Sequence, residues 1–118
     1  DATCLDYARA AAADQGLALE TRVFDVADFS EPLPPADLVV LADVFVTDAV
    51  AAACARRCGE ALRRGSRCLV ADARRSTRDA FLRALRAEDL AGVASAASLD
   101  FAPTLGTGPC VLIDGEGA

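Results

Sequence analysis

Five apolar residues in a row, Leu38-Val-Val-Leu-Ala42, constrain this chain more than any other stretch. They enter from a proline-rich turn (Pro32, Pro34, Pro35) and stop on a carboxylate, Asp43. A strand without polar alternation is the pattern of a parallel sheet covered on both faces, so both faces of this strand are expected to be buried. A second such run, Arg67-Cys-Leu-Val-Ala71, also ends on an aspartate, Asp72. Between them, Val50, Cys54, Cys58, Ala61 and Leu62 recur at helical spacing, the stripe of a helix packed on a sheet. Arg56, Glu60, Arg63 and Arg64 take its wet side. In open α/β sheets, ligands bind beyond the carboxyl ends of parallel strands, which makes Asp43 a candidate for chemistry.

The flanks extend this frame. Leu5, Ala8 and Ala12 predict an N-terminal helix that Gly16 terminates. Leu17 to Asp25 alternates and predicts a strand. Val26 to Ala36 is a loop. Asp48 to Arg64 is a helix ended by Gly65, and Ser76-Thr-Arg-Asp79 resembles a capping box opening a short helix with Phe81, Leu82 and Leu85 inward. Leu90 to Phe101 is β-compatible, 103–108 reads as a turn, and Pro109 to Ile113 is a last strand. The order α-β-β-α-β-α-β-β implies parallel crossovers followed by an antiparallel hairpin.

The 118 residues suffice for one domain; they are 53% hydrophobic and 25% charged, a globular balance. No apolar run approaches the roughly 20 residues of a membrane span. The first residue is Asp1 rather than Met, so upstream sequence is expected. Five cysteines without histidine give neither a disulfide framework nor a zinc set. Cys54 and Cys58, one helical turn apart, read as small core residues or as a redox or metal pair. Reduced thiols fit an intracellular compartment, cytoplasm or organelle. Net charge is −6, yet ten of the twelve basic residues, all arginine, fall between Cys54 and Arg86. That could be a basic patch for an acidic partner or solvated helix faces. Overall acidity and the lack of interleaved aromatics disfavour nucleic acid.

The strand ends and element order resemble the later two-thirds of a class I S-adenosylmethionine (SAM) dependent methyltransferase, in the seven-β-strand protein-lysine methyltransferase group. The similarity rests on the Asp1–Leu17 helix, on Phe24-Asp25-Val26, on Leu41-Ala-Asp43-Val-Phe45-Val46, and on Leu69-Val-Ala-Asp72-Ala-Arg-Arg75. It implies a Rossmann-like three-layer sandwich, mostly parallel with a C-terminal antiparallel hairpin, lacking its first strand or strands; residues 1–118 would be one partial domain. It implies SAM as cofactor, held by Asp1 (ribose), Asp25 (adenine amino group), Val26 and Ala42. It places Asp43 as the catalytic residue and Phe45, Asp72 and Arg75 toward the substrate, a protein with a target lysine. No metal is implied. Val26 and Val46 stand where aromatics are usual, and no glycine-rich cofactor loop occurs. Gly106-Thr-Gly108 reads as a plain turn. That loop is expected within roughly 30 residues upstream, the size of a βαβ unit. A non-catalytic α/β interaction module with the same fold is the alternative. A flavodoxin-like or receiver-like domain fits less well, because only a short turn precedes Pro109.

Overall fold

The computed structural model describes residues 1–71 and 76–90 in full, and the backbone of 99–103 and 109–113. The chain is a mixed α/β fold. Its elements are α1 (Ala2–Asp14), β1 (Leu38–Ala42), α2 (Asp48–Arg63), β2 (Arg67–Ala71), α3 (Thr77–Ala87), β3 (Leu99–Pro103) and β4 (Pro109–Ile113). The sheet order is β1-β2-β4-β3. β1 and β2 are parallel, with Val40 opposite Leu69, and α2 forms the crossover between them. β4 runs antiparallel to β2 and to β3.

Local chemistry explains the helix ends. Thr47 caps α2 by accepting the Val50 N–H on its hydroxyl, and Asp48 sits in the positive first turn. At the other end Gly65, at φ +82°, turns the chain. Its N–H reaches the Leu62 carbonyl and the Ser66 N–H the Ala61 carbonyl, satisfying two otherwise unpaired groups. Gly16 ends α1 in the same way. Ser76 does not make a capping box: its side chain forms no cap bond. The neighbouring Thr77 hydroxyl instead donates to the Phe45 carbonyl at 2.8 Å, tying α3 to the segment after β1.

The core lies between the sheet and α2–α3. Cys68 and Val70 of β2 meet Ala51, Cys54, Ala55, Cys58, Ala61 and Leu62 of α2, and Phe81, Leu82 and Leu85 of α3 complete it. Phe45 and Phe81 stack with centroids 4.6 Å apart. The cysteines of α2 are thus core residues.

Two expectations are corrected. Leu17–Asp25 is not a strand and carries no regular secondary structure. Alternation supplies a face but not a partner, and this segment pairs with no strand in the sheet. β1 is not covered on both faces either. Val39 and Leu41 pack on the core, whereas Leu38 is 47% and Val40 54% exposed. Among the described residues α1 buries no side chain and packs against no other helix or strand, and the second face of the sheet is exposed at β1. Among the described residues no helix is long and apolar enough to cross a membrane.

Candidate functional site

Asp43 is the first residue beyond β1. Its N–H donates to the Ala71 carbonyl at 2.8 Å, extending the β1–β2 ladder by one bond. Its φ is +55°, which makes it the one non-glycine residue with positive φ among those described. That left-handed conformation costs an L-residue roughly 1–2 kcal/mol, least for Asp and Asn. The turn leaves Asp43 exposed while Phe45, two residues on, enters the core at 1% exposure. An aspartate here could have served simply as the cap of the next helix. Thr47 performs that task, so Asp43 is not the cap of α2.

The other residues singled out by sequence are placed as follows. Ala42 ends β1 opposite Ala71 and is exposed beside Asp43. Phe45, expected toward a substrate, is instead buried on Phe81; it fixes the path of the 43–47 segment and offers no surface to a bound molecule. Val46 is 68% exposed. Asp25 is exposed, and one carboxylate oxygen accepts the Ala27 N–H at 2.9 Å in a tight turn. Val26 is half-buried against the core. Asp1 caps α1, accepting the Thr3 N–H at 2.8 Å. Asp72 and Arg75 lie outside the described residues, as do 91–98, 104–108 (with Gly106 and Gly108) and 114–118.

One residue that sequence reasoning missed organises the loop that carries Asp25 and Val26. Arg57, in the arginine-rich part of the chain, is 2% exposed. Its Nε donates to the Val26 carbonyl at 3.0 Å, and its terminal nitrogens donate to the Asp28 carbonyl at 2.6 Å and Glu60 at 2.7 Å. Its guanidinium lies 4.9 Å from the Phe24 centroid and 4.5 Å from that of Phe29. A planar fork with five donors suits such a junction; a lysine could not bind all three acceptors at once. Glu60 also accepts the Leu33 N–H at 2.9 Å and pairs with Arg64 at 2.8 Å. Burial works to raise the Glu60 carboxyl. The hydrogen bonds from Arg57 and Leu33 and the charges of Arg64 and Arg57 outweigh it and hold the group below its ordinary value. The network clamps the loop bearing Asp25 and Val26 onto α2.

Two open clefts flank that loop. One, of about 380 Å³, is lined by Pro32 to Ala36 with Val39, Ala61, Arg64 and Ser66. The other, of about 440 Å³, lies over Phe29, Arg56 and Arg63. Asp43 lines neither. Among the described residues no group of three or more His, Cys, Asp or Glu side chains is placed to hold a metal ion. Chemically, the chain offers an exposed carboxylate, Asp43, held by a strained turn at the end of parallel strands, and, on a separate loop clamped to the later turns of α2, a second exposed carboxylate, Asp25. Compared with protein families, curated proteins and solved structures, the chain matches none.

Proposed function

We propose that this chain is the acceptor-side part of a SAM-dependent methyltransferase of the protein-lysine type, built on a Rossmann-like three-layer fold. The observation that carries the reading is Asp43: exposed, left-handed, at the carboxyl end of a parallel strand, with the capping role filled by Thr47. Strained backbone at a strand end is a reason to ask for function. The sheet order β1-β2-β4-β3, with β4 reversed between its neighbours, supports the same reading.

The residues fit the cofactor in part. Asp25 is exposed and Ala42 offers a small apolar surface, so these two would hold the adenine side. The Asp1 carboxylate is engaged in its helix cap, and the Val26 carbonyl is taken by Arg57. SAM supplies a methyl group on a sulfonium, open to in-line displacement. The chain's own contribution is positioning. The Asp43 carboxylate accepts a hydrogen bond from the neutral lysine amine and aims its lone pair. The same carboxylate would stabilise the positive charge that the nitrogen takes up as the carbon–sulfur bond of the sulfonium breaks to a neutral thioether, until the amine proton passes to water. Phe45, anchored on Phe81, holds Asp43 in place.

Localisation in an intracellular compartment belongs to this proposal, as does a protein substrate bearing a lysine. A second reading, a non-catalytic module with the same fold, draws on Val46, which is exposed where the enzymes carry an aromatic. The test is to incubate the complete gene product with methyl-labelled SAM and protein acceptors, then map the label. Methyl-lysine in an acceptor supports the enzyme. Saturable protein binding without any transfer supports the module.

A further inference from the structure

Three of the four arginines on the later turns of α2 are committed within the protein. Arg57 holds the Val26 and Asp28 carbonyls and Glu60. Arg64 pairs with Glu60 and donates to the Leu33 carbonyl at 2.8 Å. Arg63 sets both terminal nitrogens on one Glu88 oxygen, at 3.0 and 3.1 Å. Arg56 is the exception. It is exposed, and its guanidinium carbon lies 3.6 Å from the Phe29 centroid, directly over the ring face. No acceptor among the described residues takes any of its N–H groups. A guanidinium that stacks on a ring keeps its in-plane donors for other acceptors. The ring beneath it is itself fixed: the buried Arg57 lies 4.5 Å from the Phe29 centroid and holds the preceding carbonyl at 2.6 Å.

We propose that the cleft over Phe29 and Arg56 binds a small phosphate monoester, its phosphoryl oxygens on the Arg56 fork and its carbon body against Phe29 and Pro32. The cleft's volume of about 440 Å³ suits a small molecule, for which sites run roughly 300–1,000 Å³. The acids that face it, Glu60 and Glu88, are already paired with arginine. Of the three arginines and two glutamates in its lining, Arg56 therefore supplies the unbalanced positive charge. An arginine fork takes two oxygens of a phosphate at once. A carboxylate would end there, whereas a phosphoryl group has a third oxygen and more charge. Arg63, two helical turns along the same face of α2, lines the cleft and keeps two N–H groups beyond those on Glu88 and the Asp89 carbonyl. Phe29 and Pro32 are both exposed and give the ester's carbon part an apolar wall. Asp43 is not part of this cleft, so the site is independent of methyl transfer.

The test titrates the full chain with phenyl phosphate, inorganic phosphate and benzyl alcohol in low-salt buffer, reading arginine Nε–H and phenylalanine ring resonances by NMR. Phenyl phosphate is expected to saturate in roughly the millimolar range or tighter, moving the Arg56 and Phe29 signals together. Inorganic phosphate should bind more weakly, and benzyl alcohol not at all. Arg56→Gln, at an exposed position, should keep the urea midpoint of the wild type and weaken phenyl phosphate by at least about tenfold, the scale of hydrogen bonds to a charged group. Arg83→Gln, which removes an exposed arginine of α3 outside the cleft, should leave the affinity unchanged. The proposal is overturned if phenyl phosphate does not saturate, or if Arg56→Gln binds it as wild type does. Equal weakening by Arg83→Gln, or equal affinity for the two phosphates, overturns it as well.

Discussion

Replacing Arg57 by methionine keeps most of the side-chain volume and removes the guanidinium. The wild-type group makes three hydrogen bonds, two to loop carbonyls and one to Glu60, at 2% exposure. Removing one partner of a buried ion pair costs about 3–5 kcal/mol when the other is left alone. Glu60 is not left alone, because Arg64 and the Leu33 N–H remain. The Val26 and Asp28 carbonyls do lose their donor, at roughly 1–3 kcal/mol each if water cannot replace it. The lower part of the range follows, about 3 kcal/mol, a large fraction of the ~5–15 kcal/mol typical of a domain. Arg57→Lys keeps the charge but not the fork, and is expected to lose about 2 kcal/mol, less than the methionine variant. Urea unfolding reads both, as a fall in midpoint at constant slope. Limited proteolysis should show cleavage within residues 24–33 in the methionine variant before α2 is cut. A loss below about 1 kcal/mol, or an unchanged cleavage pattern, would refute the clamp.

The turn at Asp43 separates backbone from carboxylate. Asp43→Gly is expected to be more stable than Asp43→Ala by roughly 1 kcal/mol, because glycine enters φ +55° without a Cβ penalty; thermal unfolding of the two variants decides. The Glu60 carboxyl titrates lower in the folded state than its ordinary value of 4.5. Its contribution is therefore complete above that value and is lost as pH falls through the folded pKa. Glu60→Gln should flatten the acid side of the stability curve below pH 4.5, and an unaltered curve would contradict the pairing. Helix α1 buries none of its residues, and isolated helices of its length are marginal in water. Its amides should exchange with deuterium far faster than those of α2; equal protection would mean that α1 is packed.

What could be read from the chain was whatever depends on near neighbours. The run Leu38–Ala42 is a strand, the stripe through Cys54, Cys58 and Leu62 is the buried side of α2, and Gly16 and Gly65 stop their helices, because each follows from local spacing or from glycine's freedom. Leu17–Asp25 misled because alternation marks a surface that could be half-buried, whereas a strand also needs a neighbour offering hydrogen bonds. The exposure of Val40 is of the same kind: an apolar run does not say whether a helix covers its second face. Arg57 was invisible among its neighbours Arg56, Arg63 and Arg64, since only the loop carbonyls of Val26 and Asp28, some thirty residues away, distinguish it. Asp43 was found as the end of a strand. Its left-handed backbone and its separation from helix capping emerged only with Thr47 and Ala71 in place.

Asp43→Asn tests the proposed chemistry most directly, because amide and carboxylate are alike in size and both tolerate the left-handed turn. In the complete gene product, the variant should bind SAM within about twofold of wild type by calorimetry. Its single-turnover methyl transfer to a lysine acceptor should fall by a factor of about 100, in the range typical of a lost proton-handling or positioning group. Equal loss of SAM binding and transfer, or transfer unchanged by the substitution, would contradict a role for Asp43 in holding the acceptor amine.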